Sequence, residues 1–169
     1  MNTGVQRSVA TPPAAQTQTT PGGNVFGQGK SAPLIAMAHE IPYVATATIA
    51  DLHDLEAKVE RAMEFRGARY LHVLVTCPLG WGTRACDSVQ IARLAVESGL
   101  FPVFEAERGE VTAVSPIRRR VPVEDYLRPQ RRYAHLFAPA ERRSVIDRIQ
   151  ARADRNIARF GLLPTEEAQ

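Results

Sequence analysis

Two short stretches of this sequence hold side chains suited to chemistry. In HVLVTCPLGW, His72 to Trp81, an apolar and largely β-branched run ends on Cys77. A thiolate at that point can ligate a metal ion or an iron–sulfur cluster. From its type alone the same residue reads more readily as a buried, inert cysteine, and the residues around it leave both readings open. The second stretch is NTGVQRSVATPP, Asn2 to Pro13. Asn2, Thr3, Gln6 and Ser8 offer amide and hydroxyl donors and acceptors, and Gly4 lets the backbone turn close to a ligand. Groups of this kind hold phosphorylated cofactors, and they also occur in ordinary surface loops. Together the two stretches predict half of an active site whose other half lies on another polypeptide.

A thiol can be delivered to a site only if the elements before it set its direction. Residues 1–40 are dense in Pro and Gly and read as irregular, with one short helix over 34–39. From Ile41 the pattern changes. Tyr43 to Thr48 is a short β-type run, and Asp51 is a helix N-cap. Leu52, Leu55, Val59 and Met63 follow at helical spacing, with Glu56, Lys58, Glu60 and Arg61 opposite, and Gly67 closes the helix. Tyr70 to Thr76 is almost wholly apolar and predicts a strand buried on both faces. A second helix spans Asp87 to Ser98, stopped by Gly99. Phe101 to Ala106 and Val111 to Ser115 flank Arg108-Gly109-Glu110 and read as a hairpin. This alternation predicts an α/β fold with a mostly parallel sheet flanked by helices. In such sheets ligands bind at the carboxyl ends of the strands, where Cys77 falls. Beyond the hairpin, Val123 to Arg128 predicts a short helix. Ala138 to Phe160 predicts a long one, apolar along Val145, Ile146, Ile149, Ala153, Ile157 and Phe160 and rich in arginine opposite. The organisation expected is an irregular segment over 1–40, an α/β core over 41–115 and a basic C-terminal arm with the long helix over 116–169.

Bulk properties narrow the function classes. The chain has 169 residues and is 44% apolar, enough for one domain with a real core. Its two cysteines give no disulfide framework, which points to the cytoplasm. The sequence shows no eighteen-residue apolar run and no signal pattern, so no membrane role is expected. From Arg118 to Phe160 twelve arginines face five acids. Such an arm suits nucleic acid, an acidic protein or an acidic neighbour in a complex. Only Tyr126, Tyr133 and Phe137 interleave with it, so nucleic-acid binding is not expected. His39, His53, His72 and His135 do not fall at metal-ligand spacing and read as structural. No Ser-His-Asp set or P-loop is present.

Five blocks carry a family likeness: NTGVQRSVATPP, IPYVATATIADLHDLEAKVERAM, HVLVTCPLGW, IARLAVESGLFPVFE and VEDYLRPQRRYAHL. In this order they resemble the β-subunit of the 2-oxoacid:ferredoxin oxidoreductases, the pyruvate:ferredoxin oxidoreductase family. The collinear match runs over residues 2–137. It implies the C-terminal part of a thiamine-diphosphate-binding domain. Asn2 matches a catalytic asparagine beside the thiamine ring, and Thr3 and Gly4 belong to the same cofactor site. Cys77 matches the residue that completes the ligand set of a 4Fe-4S cluster. The family's other three cluster cysteines, its Gly-Asp-Gly segment and its Mg2+ ligands precede the matched stretch. The implied activity is oxidative decarboxylation of a pyruvate-like 2-oxoacid to acyl-CoA, with electrons passing through the cluster. The implied partners are the upstream half of the β-subunit, other subunits, coenzyme A and ferredoxin or a similar acceptor, and the chain alone is expected to be inactive. The alternative is a non-catalytic structural or assembly subunit, or an inactive gene fragment. Leu79 stands where the family usually has threonine, and Val9 where it often has glycine. Cys86 has no family counterpart and is expected to be structural.

Overall fold

A computed structural model describes residues 13–16 and 30–164. Asn2, Thr3 and Gly4 lie outside the described residues, as does most of the irregular N-terminal segment. The first helix, α1, is Ala32–Ala38, close to the range expected. Strand β1 is Tyr43–Thr48 and helix α2 is Leu52–Glu64. The Asp51 carboxylate accepts a hydrogen bond from the Asp54 N–H at 3.0 Å, so the predicted cap forms. Strand β2, Arg69–Leu74, leads to the one-turn helix α3, Pro78–Trp81. A 3-10 turn over Ala85–Asp87 precedes α4, Ser88–Glu97. Strands β3 and β4 are Phe104–Glu107 and Glu110–Val114. Helix α5 is Val123–Leu127, followed by a 3-10 segment, Arg131–Leu136, and by α6, Arg143–Phe160.

The class is α/β, with helices around a four-stranded sheet in the order β2-β1-β3-β4. The pairing corrects one part of the expectation: the sheet is mixed, not mostly parallel. The β1–α2–β2 crossover gives one parallel pair, from Tyr43 opposite Arg69 to Thr48 opposite Leu74. Strand β3 runs antiparallel to β1, and β4 antiparallel to β3. Arg108 and Gly109 have φ of 49° and 91°. Positive φ at both centres of a two-residue connection fits a tight hairpin turn, which can join only antiparallel strands. The β1–β3 ladder is short, pairing Val44 with Ala106 and Ala45 with Glu105. Thr46 takes over there: its hydroxyl donates to the Pro102 carbonyl at 2.8 Å and accepts from the Phe104 N–H at 2.9 Å.

Strand centrality is also the reverse of the sequence reading. Every residue of β1 is buried, whereas β2 is half-buried at the edge of the described sheet. The small side chains of YVATAT let layers close on both sides. Tyr43 and Ala45 pack with Ala62 and Leu71 under α2, while Val44 packs with Ala36 of α1, Phe104 and Ala106 on the other face.

Helix α2 turns its apolar stripe outward. Leu52 and Met63 are 67% and 71% exposed, and Lys58 and Ala62 are the buried residues. Lys58 reaches inward because its ammonium donates to the Thr46 carbonyl at 3.0 Å and to the Asp54 carboxylate at 2.8 Å.

The largest core cluster joins α4, α5, the 3-10 segment and α6 through Ile91, Leu127, Tyr133, Ile146 and Ile149. Helix α6 begins at Arg143, five residues later than expected. Pro139 biases the residue before it away from helical geometry. At the other end Gly161 takes φ 59° and stops the helix as predicted. Gly99, φ 78°, lies so close to α6 that a Cβ there would sit 2.6 Å from Ile157 Cγ1.

Candidate functional site

Cys77 stands three residues beyond the end of β2, as the N-cap of α3. Its sulfur accepts a hydrogen bond from the Gly80 N–H at 3.4 Å, and its carbonyl accepts one from Trp81 at 2.8 Å. Pro78 starts the turn, where its fixed φ suits a first helical position. Gly82 ends it with φ 65°, and the Thr83 N–H returns to the Pro78 carbonyl at 2.9 Å. The result is a tightly wound loop with a partly exposed thiol at its start. Next to it Leu79 is 86% exposed, and Val75 is exposed as well.

The loop is braced from below by the 3-10 segment Arg131–Leu136. A Cβ on Gly82 would meet Arg131 Cβ at 2.5 Å, so only glycine permits this approach. The Arg132 guanidinium lies 3.8 Å from the centre of the Trp81 ring. Arg132 is buried, donating to the Gln130 side-chain oxygen at 2.8 Å and to the Tyr126 hydroxyl at 3.1 Å. Gln130, fully buried, is itself held by the Tyr126 carbonyl.

The described residues closest in sequence to the predicted cofactor segment anchor on this same support. Ala15 is fully buried in the main cluster, and the Gln16 N–H donates to the Arg132 carbonyl at 2.9 Å. One structural piece thus holds both the thiol loop and the segment Pro13–Gln16. The position of Asn2 relative to Cys77 lies outside the described residues.

His72 packs edge-on against the rings of Tyr70 and Phe101, and burial holds its imidazole below the ordinary histidine range. His135 is also held low, first by burial and then by Arg142, with a hydrogen bond to the Ala14 backbone working against both. Cys86 is exposed on its 3-10 turn. Among the described residues, no three His, Cys, Asp or Glu side chains gather as a metal site. A separate cleft of about 620 Å³ opens beyond the end of β1, lined by Thr48, Asp51, Arg93, Glu97 and Arg118. It contains none of the candidate site residues Asn2, Thr3, Gly4 or Cys77. No described helix is long and apolar enough to cross a membrane.

Sequence reasoning missed Tyr126, Gln130 and Arg132. All three fall in the block VEDYLRPQRRYAHL, which carried a family likeness, so a signal was present. Arginine in a basic stretch reads as solvated, and nothing local marks the one that turns inward.

What these features define is an α/β segment presenting one thiol at the end of a parallel strand, on a loop clamped by a buried charge. No family model matches the chain. It is 47% identical to the pyruvate synthase subunit PorB of Methanosarcina barkeri over 166 residues, which cover 96% of this chain and 56% of that protein. PorB of Methanocaldococcus jannaschii is 41% identical over 167 residues, covering 96% and 54% of the two chains. The ketoisovalerate oxidoreductase subunit VorB of Pyrococcus furiosus is 38% identical over 142 residues, covering 80% and 46%. A solved 2-oxoglutarate:ferredoxin oxidoreductase of Magnetococcus marinus overlaps 53% of this chain and 32% of its own, at 25% identity and a TM-score of 0.44. Over most of its length the chain is therefore similar to subunits named PorB and VorB. It spans about half the length of the curated relatives it matches.

Proposed function

We propose that this chain is part of the β-type subunit of a 2-oxoacid:ferredoxin oxidoreductase that acts on pyruvate or a similar 2-oxoacid in the cytoplasm. The observation that carries this reading is the 47% identity to a pyruvate synthase subunit over 166 residues. When bound, thiamine diphosphate with Mg2+ supplies the electron sink for decarboxylation, and the 4Fe-4S cluster the route by which electrons leave. Cys77 suits a cluster ligand. Its sulfur is partly exposed, and a backbone N–H already points at it, as hydrogen bonds to ligand sulfurs do when they tune a cluster. It would hold one iron, and the other ligands come from the rest of the enzyme. Asn2, Thr3 and Gly4 would line the cofactor, with Asn2 orienting it by hydrogen bonding. Trp81 and Leu79 would limit water at the cluster.

Two further observations support a piece that completes a larger fold. Leu52, Val59 and Met63 form an exposed stripe along α2, and large exposed apolar surface marks interaction sites. Strand β2 leaves one side free of strand pairing among the described residues. The remainder of the β-subunit, the other subunits, coenzyme A and a ferredoxin-type acceptor are the partners this reading requires.

The test is anaerobic co-expression with the remaining subunits. Thiamine content, iron content and 2-oxoacid-dependent dye reduction should appear together, and Cys77→Ser should remove most of the iron. A complex that binds thiamine diphosphate and iron fully but reduces no dye with any 2-oxoacid would refute the catalytic assignment.

A further inference from the structure

The Cys77 loop rests on a charge that no described residue cancels. Arg132 is 7% exposed. Its hydrogen-bond partners, Gln130 and Tyr126, are both neutral. The rings of Trp81 and Tyr133, at 3.8 Å and 5.0 Å from its Cζ, are neutral too. Among the described residues no carboxylate pairs with it, although other arginines of the same stretch are paired: Arg119 with Glu97, Arg120 with Asp154, Arg128 with Glu141 and Arg143 with Glu124. A buried charge without a counter-charge is costly, and proteins usually neutralise it.

The location suggests a use for that cost. One face of the Trp81 indole meets the guanidinium, and the Trp81 backbone is tied to the Cys77 carbonyl at 2.8 Å. The planar guanidinium is suited to this stacking, which a lysine ammonium cannot reproduce. In a poorly solvated setting its field reaches the thiol loop with little screening.

We infer that Arg132 is a positioning residue and a fixed counter-charge for the iron–sulfur cluster held by Cys77. It clamps the loop through Trp81, and its charge favours the reduced cluster, which carries one more electron. The inference rests on the reading of Cys77 as a cluster ligand and adds a residue that sets the potential of that cluster.

The experiment uses the assembled enzyme containing this chain, with the cluster potential read by redox titration under electron paramagnetic resonance and iron measured alongside. Arg132→Gln removes the charge. Gln130→Glu keeps Arg132 in place and sets a carboxylate against it. Both variants should make reduction about tenfold less favourable, a fall of about 59 mV for a one-electron couple. Arg132→Lys keeps a charge and should stay closer to the parent potential. If Arg132→Gln and Gln130→Glu keep their iron and the parent potential, the counter-charge assignment is overturned. Should neither assemble a cluster, Arg132→Lys decides: restored iron supports a required charge, and iron as low as in Arg132→Gln overturns it. Cys77→Ser separates the two readings. Full iron in that variant removes the ligand assignment itself, whereas lost iron together with unshifted potentials removes only the role of Arg132.

Discussion

Substituting Gly82 by alanine should damage the thiol loop more than a backbone penalty alone would explain. Gly82 has φ 65°, and Gly161 has φ 59°. Either alanine must adopt a left-handed conformation, at about 1–2 kcal/mol. The surroundings differ. At Gly161 a new Cβ meets nothing within 4 Å, but at Gly82 it meets Arg131 Cβ at 2.5 Å. Carbon atoms pack best at about 3.5–4.0 Å, so the loop or the 3-10 segment must retreat by roughly 1 Å. Because the obstructing atom is a Cβ, rotating the Arg131 side chain gives no relief, and overpacking of this kind costs about 1–3 kcal/mol more. The totals are about 2–5 kcal/mol for Gly82→Ala and about 1–2 kcal/mol for Gly161→Ala. At roughly 3 °C per kcal/mol for a chain of this size, the melting temperature should fall by about 10 °C in the first and about 4 °C in the second. Differential scanning calorimetry of the assembled enzyme reads both, and iron content reads the loop, which only Gly82→Ala should displace. Equal melting temperatures and equal iron in the two variants would refute the reasoning, because the contact with Arg131 would then carry no energy.

Other perturbations test the frame that carries the loop. Thr46→Val should cost about 2–3 kcal/mol, since it strands the Phe104 N–H and the Pro102 carbonyl between β1 and β3; chemical denaturation measures it. Lys58→Met should cost about 1–3 kcal/mol in the same assay, because the Thr46 carbonyl loses a buried donor. His72 and His135 are both held below the ordinary histidine value of about 6.5. The unfolded chain therefore takes up protons first as pH falls, so stability is full above about 6.5 and declines below it; His72→Phe should flatten that decline in thermal melts across pH. Leu79→Thr should leave melting almost unchanged, since the side chain is 86% exposed. An effect of that variant on dye reduction would place the side chain against the rest of the enzyme.

Much of the frame was legible because local signals and tertiary structure agree. Asp51 caps α2, Gly99 follows α4 at positive φ, and the Arg108-Gly109 turn makes the hairpin. The errors arise where a pattern gives geometry without a direction. Alternating strands and helices predicted a mostly parallel sheet, yet β3 runs antiparallel to β1, a direction that depends on how α3 and α4 return the chain. Apolar character predicted β2 as the interior strand, while small size made β1 interior. The period of α2 was right, but Leu52, Val59 and Met63 of its apolar stripe are exposed while Lys58 is buried. Amphipathic spacing does not say which stripe meets the sheet when a lysine has a carbonyl and a carboxylate waiting inside. Cys77 was expected directly at a strand end and lies three residues beyond it, because an apolar run followed by Pro and Gly marks roughly where a strand must stop. Its support was invisible, since Arg132 lies 55 positions away in a stretch whose other arginines largely face solvent.

Two buried cations show how position separates stability from function in this fold. Lys58 reaches the interior with Asp54 attached, four residues before it on the same helix. Its charge is answered within the element that carries it, and the pair ties α2 to the end of β1. That arrangement closes on itself. Arg132 is buried among an amide, a phenol and two aromatic rings, none of which can cancel a full charge. For holding Trp81 in place, an uncharged side chain of similar volume would avoid most of the desolvation cost. Under the counter-charge proposal, that cost is offset by a group of opposite sign held by the thiol loop. Within the described structure the thiol loop above Trp81 is the element Arg132 supports.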